Sequence, residues 1–177
     1  QWSFTTVAGP KVTVLTPADE LQTVNANTTL ALEFDKAVTP EADKSLRVYQ
    51  AGITDPIYTI LLSTGTASSA NRKYTYTLPQ KLPNQANFSV IVDVRSFADA
   101  NGNLFIGVGS GQWDFRTTQG PNITTYAPLA GATNVAINAS ITLTFDKNIM
   151  AVAGKKIRVY DGPSSLLVDV DVSTTGT

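Results

Sequence analysis

The chain is organised around one stretch near its middle, Gln112-Trp113-Asp114-Phe115-Arg116-Thr117-Thr118-Gln119-Gly120-Pro121. A degenerate copy opens the chain as Gln1-Trp2-Ser3-Phe4-Thr5-Thr6-Val7-Ala8-Gly9-Pro10. The two tryptophans are 113 − 2 = 111 residues apart. At this offset, without a gap, about one third of the overlapping positions are identical. The chain therefore contains one and a half periods of a repeat of about 111 residues.

The repeat predicts three parts of the chain. Residues 1–6 form the closing strand of a preceding repeat, residues 7–118 a complete repeat, and residues 119–177 the N-terminal half of a second repeat. The identities continue into this half, where Phe34-Asp35-Lys36 falls on Phe145-Asp146-Lys147.

Composition indicates a globular protein that is rich in strands. Hydrophobic residues make up 42% and charged residues 15%, and Thr, Ser, Asn, Val and Ala are abundant. The net charge is −1 and the 13 basic residues are scattered, so the sequence excludes a nucleic-acid-binding surface. It holds no 18-residue apolar run, which excludes membrane insertion within this segment. Cysteine is absent, which excludes disulfides and thiol catalysis. We expect an extracellular or cell-surface location.

Alternating apolar and polar residues predict strands. In the clearest example, Leu30, Leu32 and Phe34 share one face, and the second copy keeps that face as Ile141, Leu143 and Phe145. Seven strands are predicted in the complete repeat, at 11–15, 28–34, 46–49, 57–62, 73–78, 88–94 and 112–117. Short strands at this spacing, with turn residues between them, predict an all-β fold, an immunoglobulin-like antiparallel β-sandwich with Greek-key connections.

The alternation also predicts the core, which we expect to include Val14, Leu30, Leu32, Phe34, Val48, Phe88, Val90, Val92, Trp113 and Phe115. Trp2 and Trp113 could instead stack on sugars, as in a carbohydrate-binding module. The Trp-x-Phe spacing recurs in both copies, as a core requirement of each repeat would, and this favours core packing. Tyr49 and its copy Tyr160 are predicted as strand residues with a hydroxyl at the rim.

Several motifs together resemble the bacterial Ig-like domains that occur in tandem in surface-layer proteins, adhesins and secreted modular enzymes. They are Pro17-Ala18-Asp19, Leu30-x-Leu32-x-Phe34-Asp35, Phe97-x-Asp99-x-x-Gly102-Asn103, Trp113-x-Phe115-x-Thr117 and, in the second copy, Ala130-Gly131-Ala132-Thr133-Asn134-Val135. The resemblance covers the whole chain. It implies the fold and a role as a spacer, stalk or lattice block, but it does not specify a ligand.

The sequence offers little for catalysis. It has no histidine, which excludes Ser/His/Asp triads, histidine-bound zinc and imidazole acid–base chemistry. Two carboxylate pairs, Asp19 with Glu20 and Asp35 with Asp99, have the residue types of a glycosidase. They fall in turns, where Asp is expected for backbone reasons. We therefore expect no enzyme activity and no cofactor.

One polar cluster could bind calcium. In a Greek-key sandwich the loop with Asp35 and the turn with Asp99, Asn101 and Asn103 approach each other at one pole, and calcium prefers oxygen ligands from several loops. The alternative is a tight turn capped by Asp99, with Asp35 paired to a base such as Lys36.

Two kinds of interface are predicted. The turn at Asp19 and Glu20 should face Asp146 and Lys147 of the next repeat, through a salt bridge or a calcium ion. Trp2 and Phe4 should dock at the half repeat of a neighbouring copy, head to tail, by strand addition. The alternative is that covalent neighbours in a longer chain supply those strands.

Three functions remain open. The first is a structural repeat of a fibre, stalk, surface layer or adhesin. The second is a carbohydrate- or receptor-binding adhesive module, which an exposed Trp113 ring would favour. The third is an accessory domain of a larger secreted enzyme.

Overall fold

The structure is a computed structural model that describes residues 2–3 and 7–172. The chain divides into two compact units, Gln1–Gly120 and Pro121–Thr177. The strands of the first unit are β1 (Val12–Thr16), β2 (Leu21–Val24), β3 (Thr29–Phe34), β4 (Thr39–Pro40), β5 (Ser45–Gln50), β6 (Tyr58–Leu61), β7 (Thr66–Ser68), β8 (Lys73–Thr77), β9 (Asn87–Val92), β10 (Phe97–Ala98) and β11 (Asp114–Thr117). Its only helical turn within the described residues is a 3-10 turn at Leu62–Thr64.

Two main sheets build the first unit. One has the order β1-β3-β8-β7 and the other β2-β11-β9-β5-β6, while β4 and β10 form a small separate pair. The predicted all-β, immunoglobulin-like sandwich is confirmed. Neighbouring strands are antiparallel with one exception, because β11 runs parallel to β2. The sequence did not predict β2, β4, β7 or β10, which are short strands without a clear alternation of apolar and polar residues.

The core lies between these sheets and contains the predicted residues of β3, β5, β9 and β11. Trp113 is fully buried, at 0% exposure, which confirms that it belongs to the core. At one end the rings of Phe34, Phe97 and Phe105 pack together, with centroids of Phe34 and Phe97 4.8 Å apart. Tilted and edge-on ring pairs of this kind stabilise a core beyond the area that they bury.

Val14 was predicted to be in the core, and this prediction is wrong. Its side chain is 50% exposed. Val12 pairs with Phe34, and Val14 pairs with Glu33, so the register shifts between these positions by a β-bulge. A bulge moves the following side chains to the opposite face. As a result Val12 and Leu15 pack against the core and Val14 faces solvent.

The second unit contains β12 (Ile123–Ala127), β13 (Thr142–Phe145), β14 (Lys156–Asp161) and β15 (Ser165–Asp171). They form two separate antiparallel hairpins, β12-β13 and β14-β15. The first hairpin repeats the bulge of β1 and β3, because Ile123 pairs with Phe145 and the register shifts before Thr125. Within the described residues no apolar side chain of this unit is fully buried, and Ile141 is 52% exposed.

Among the residues that the structure describes, no helix has the length and apolar character needed to cross a membrane.

Candidate functional site

The turn that was predicted to bind calcium is held together by its own side chains. Asp99 Oδ1 accepts hydrogen bonds from the backbone N–H groups of Asn101 and Asn103, at 2.9 and 3.0 Å. The Asn103 side-chain amide donates to both carboxylate oxygens of Asp99, at 3.1 and 3.0 Å. Asp99 is therefore the cap of this turn, and its side chain is only 5% exposed.

Lys36 brings the loop after β3 to this turn. Its Nζ lies 3.6 Å from Asp99 Oδ2 and donates to the carbonyl oxygen of Ala8 at 3.1 Å. The pKa of the Asp99 carboxyl is lowered, above all by the hydrogen bond from the Asn103 side chain. Backbone N–H groups and the charge of Lys36 lower it further, while desolvation opposes them.

The Asp35 carboxylate is hydrogen-bonded to the backbone next to β1. Its Oδ1 accepts a hydrogen bond from the backbone N–H of Lys11 at 2.9 Å. Among the described residues, no group of three or more Asp, Glu, His or Cys side chains is arranged to hold a metal ion. Calcium binding by Asp35, Asp99, Asn101 and Asn103 stays a prediction, and any ion would compete with Lys36 and the donors of Asn103.

The predicted interface turn at Asp19 and Glu20 is bonded within its own unit. Asp19 Oδ1 accepts a hydrogen bond from the backbone N–H of Asp114 at 2.8 Å, and Glu20 N–H donates to the carbonyl oxygen of Asp114 at 2.6 Å. Next to it, Trp113 Nε1 donates to the carbonyl oxygen of Pro17 at 2.8 Å. A buried and hydrogen-bonded ring cannot stack on a sugar, so Trp113 is not a carbohydrate platform.

The other predicted interface residues have these positions. Trp2 is 85% exposed and lies outside any strand, and Phe4 lies outside the described residues. Asp146 accepts hydrogen bonds from the backbone and side-chain nitrogens of Asn122, at 2.9 and 3.1 Å. These bonds, the backbone bond first, lower the pKa of Asp146. Lys147 follows it in a bend. The facing of Asp19 and Glu20 toward Asp146 and Lys147 stays a prediction.

One feature was not predicted from the sequence. The outer face of the five-stranded sheet carries a groove of about 570 Å³ that is open to solvent. Tyr49 on β5, Ser89 on β9 and Asp114 on β11 line it from three neighbouring strands. Tyr49 had been predicted as a strand residue with its hydroxyl at the rim, and the sequence did not indicate that these three strands form a groove.

The groove has a second wall at the turn after β5. The Ile53 N–H donates to the carbonyl oxygen of Gln50 at 3.0 Å, and Gly52 has φ +85°, which closes this turn tightly. Ile53, 48% exposed, lines the groove with Gln50 and Tyr49. An aromatic ring and an aliphatic side chain thus lie beside amides, a hydroxyl and one carboxylate.

The sequence matches the family described as bacterial Ig-like domain over residues 6–117 and again over residues 118–176. The two matches together cover nearly the whole chain. No curated protein matches the sequence significantly.

Solved structures show more distant similarity. CopC from Methylosinus trichosporium OB3b is 16% identical, with a TM-score of 0.44, and the match covers 64% of this chain and 98% of CopC. The S-layer protein rSbsC is 14% identical, with a TM-score of 0.43 over 93% of this chain. A structure of SbsC domains 1-6 is 12% identical, also with a TM-score of 0.43. This chain spans 22% of each S-layer structure.

Proposed function

Because this chain belongs to the family of bacterial Ig-like domains, we propose that it is a non-catalytic structural repeat of a long extracellular or cell-surface bacterial protein. Such a protein would be a fibre, stalk, surface layer or adhesin. Its units are joined end to end, and their partners are neighbouring repeats or copies of the same protein.

The observation that carries this proposal is the repetition of structure at the repeat offset. The hydrogen bond that joins the residue before β1 to the aspartate after β3 recurs between the residue before β12 and the aspartate after β13. Lys11 N–H donates to Asp35 at 2.9 Å, and Asn122 N–H donates to Asp146 at 2.9 Å. The same local structure built twice is what a modular array requires.

The connection between the units is short. Thr118 N–H donates to the carbonyl oxygen of Val24 at 2.8 Å, and Gln85 N–H donates to the carbonyl oxygen of Thr118 at 3.0 Å. The chain is therefore fastened to the first unit as far as Thr118, and β12 begins at Ile123. Only residues 119–122 lie between these two points, so the connection is short.

The second unit leaves apolar strand residues uncovered. Val168 and Val170 on β15 are 48% and 46% exposed, and Ile141 beside β13 is 52% exposed. In the first unit the corresponding face of β3 is covered by the opposite sheet. Strands from a neighbouring repeat or copy would cover these side chains and bury apolar area at about 25 cal/mol per Å².

Sedimentation of the chain over a range of concentrations tests the contact between copies. We expect concentration-dependent association that Leu143→Asp weakens, because Leu143 lies on the core side of β13. Thr144→Asp is the matched control, since Thr144 is the next residue and faces the opposite side. Monomers at every concentration, or equal effects of both substitutions, would rule out association between separate copies through β13. The contacts proposed between repeats would then occur only within a longer chain.

The location is tested separately. Antibodies raised against the chain should label intact producing cells as strongly as disrupted cells. Labelling that requires disruption would contradict a surface role.

A further inference from the structure

We infer that the groove on the outer face of the five-stranded sheet is a binding site for a neutral saccharide. The site is in the first unit and is formed by Tyr49, Asn87, Ser89 and Asp114, with the turn at Gln50 and Ile53 as one wall. This goes beyond the structural role, because it gives one face of the module a ligand.

Strand register places the central residues in one row. Asp114 pairs with Ser89 across β11 and β9, and Ser89 pairs with Tyr49 across β9 and β5. Directly paired residues point to the same face of a sheet. The row therefore spans two strand spacings, about 10 Å, which accommodates a short oligosaccharide lying across the strands.

The two hydroxyl groups of this row are available to a ligand. Tyr74 and Tyr76 are buried. The Tyr74 hydroxyl donates a hydrogen bond to the carbonyl oxygen of Val38, and the Tyr76 hydroxyl donates one to the carbonyl oxygen of Leu62. In contrast, the side-chain polar groups of Tyr49 and Ser89 make no hydrogen bond with any residue that the structure describes. The groove thus offers hydroxyl groups that can donate and accept at once.

Asp114 supplies the second observation. Its Oδ1 is buried and has no hydrogen-bond partner within the described part of the chain. An unsatisfied buried carboxylate oxygen is costly, and a donor that enters the groove would relieve that cost once the carboxylate turns to meet it. A sugar hydroxyl is such a donor, and its bond to a carboxylate is stronger than one between neutral groups.

The charge and shape of the groove select among ligands. Among the residues that the structure describes, Asp114 is the only charged one that lines it, so a phosphate or carboxylate ligand would be repelled. Tyr49 and Ile53 provide apolar surface for the C–H face of a sugar ring, and the polar groups beside them can orient its hydroxyls. A neutral saccharide has both kinds of surface, whereas a simple amine would use only the carboxylate.

The second unit provides an internal control. Tyr160 is the counterpart of Tyr49, at 49 + 111 = 160. Its strand β14 pairs with β15, and the 177 residues contain no second copy of the segment 87–92 that carries Ser89. Tyr160 therefore has the aromatic ring without the rest of the row.

The test is an NMR titration of the isotopically labelled 177-residue chain with a panel of neutral disaccharides: cellobiose, maltose, lactose and N,N′-diacetylchitobiose. We expect at least one of them to shift the backbone amide signals of Tyr49, Ser89 and Asp114. Tyr49→Ala should weaken that binding by about tenfold or more, as loss of a central aromatic contact does. Asp114→Asn should weaken it by about threefold to tenfold, since it removes the charge and keeps the shape.

Tyr160→Ala should leave the affinity unchanged, and unchanged melting temperatures of all three variants would show that the fold is intact. Methylammonium and glucose 6-phosphate serve as the cationic and anionic probes. The inference is overturned if no disaccharide shifts these signals, if methylammonium binds and the disaccharides do not, or if Tyr160→Ala weakens binding as much as Tyr49→Ala.

Discussion

The Asp35 carboxylate accepts a hydrogen bond from the backbone N–H of Lys11 at 2.9 Å, and the Asp35 N–H returns one to the carbonyl oxygen of Lys11 at 3.0 Å. The Phe-Asp-Lys motif of the repeat therefore has a local structural reason. Its aspartate fixes the start of β1 against the end of β3, and Asp146 does the same with Asn122 in the second unit.

Trp113 should be essential for stability in two separable ways. Trp113→Ala should lower the free energy of unfolding by about 3–5 kcal/mol through the cavity it leaves. Trp113→Phe keeps much of the packing but leaves the Pro17 carbonyl oxygen without its donor, and should cost less, about 1–3 kcal/mol. Trp2→Ala is the control and should stay within about 0.5 kcal/mol, because Trp2 is 85% exposed. Urea denaturation measures all three. Equal midpoints would show that Trp113 is not a core residue.

The bulge in β1 predicts opposite results for two neighbouring apolar residues. Leu15→Ala should destabilise by about 2 kcal/mol or more, because Leu15 packs against the core. Val14→Ala should change the free energy of unfolding by less than about 0.5 kcal/mol, because Val14 faces solvent. Thermal or urea unfolding distinguishes them. A larger effect at Val14 than at Leu15 would mean that the bulge is absent.

Gly65 is required because a side chain at this position would collide with Tyr76, and not because of its backbone conformation. Its φ is −65°, which any residue can adopt, but a Cβ at this position would lie 2.6 Å from the ring of Tyr76. Gly65→Ala should therefore destabilise by about 1–3 kcal/mol as Tyr76 is displaced. Gly109→Ala is the matched control, since the nearest atom to its Cβ would be a Gln112 side-chain oxygen 3.6 Å away. Similar melting temperatures for both variants would contradict close packing of Tyr76.

Ionisation of Asp99 should make the free energy of unfolding depend on pH in the acid range. Its pKa in the folded chain is lowered, chiefly by the Asn103 side chain, below the value of about 3.9 for an unfolded chain. The stabilisation is present in full above the unfolded pKa, and it is lost as pH falls through the folded pKa. The difference in unfolding free energy between the wild type and Asp99→Asn should therefore shrink as pH falls below about 4. A difference that is constant from neutral to acid pH would show that ionised Asp99 has no such role.

Calcium provides a direct check on the same turn. Lys36 and the donors of Asn103 already contact the Asp99 carboxylate. If Asp99 only caps the turn, we expect superimposable melting curves with calcium and with a chelator. A melting temperature that rises with calcium concentration would support the calcium prediction instead.

Much of the fold could be predicted from sequence because every second residue of β9 and β11 is buried, as is every second residue of β3 from Leu30 to Phe34. The position of Val14 could not, because a bulge changes the face of a side chain without changing the pattern of residue types. The polar groove was missed for another reason. Tyr49, Ser89 and Asp114 are far apart in sequence, and only the strand order β11-β9-β5 brings them into one row.

Hydrogen exchange on a lengthened chain tests most directly whether the repeat is the structural module. A copy of residues 67–118 added after Thr177 would extend the second unit to the length of one repeat, because Thr66 is the counterpart of Thr177. We expect the amides of β13, including Leu143 and Phe145, to exchange rapidly in the 177-residue chain and to become strongly protected in the longer one. The amides of β3 should be equally protected in both. Exchange at β13 that is the same in both chains would show that the repeat of about 111 residues is not the structural module.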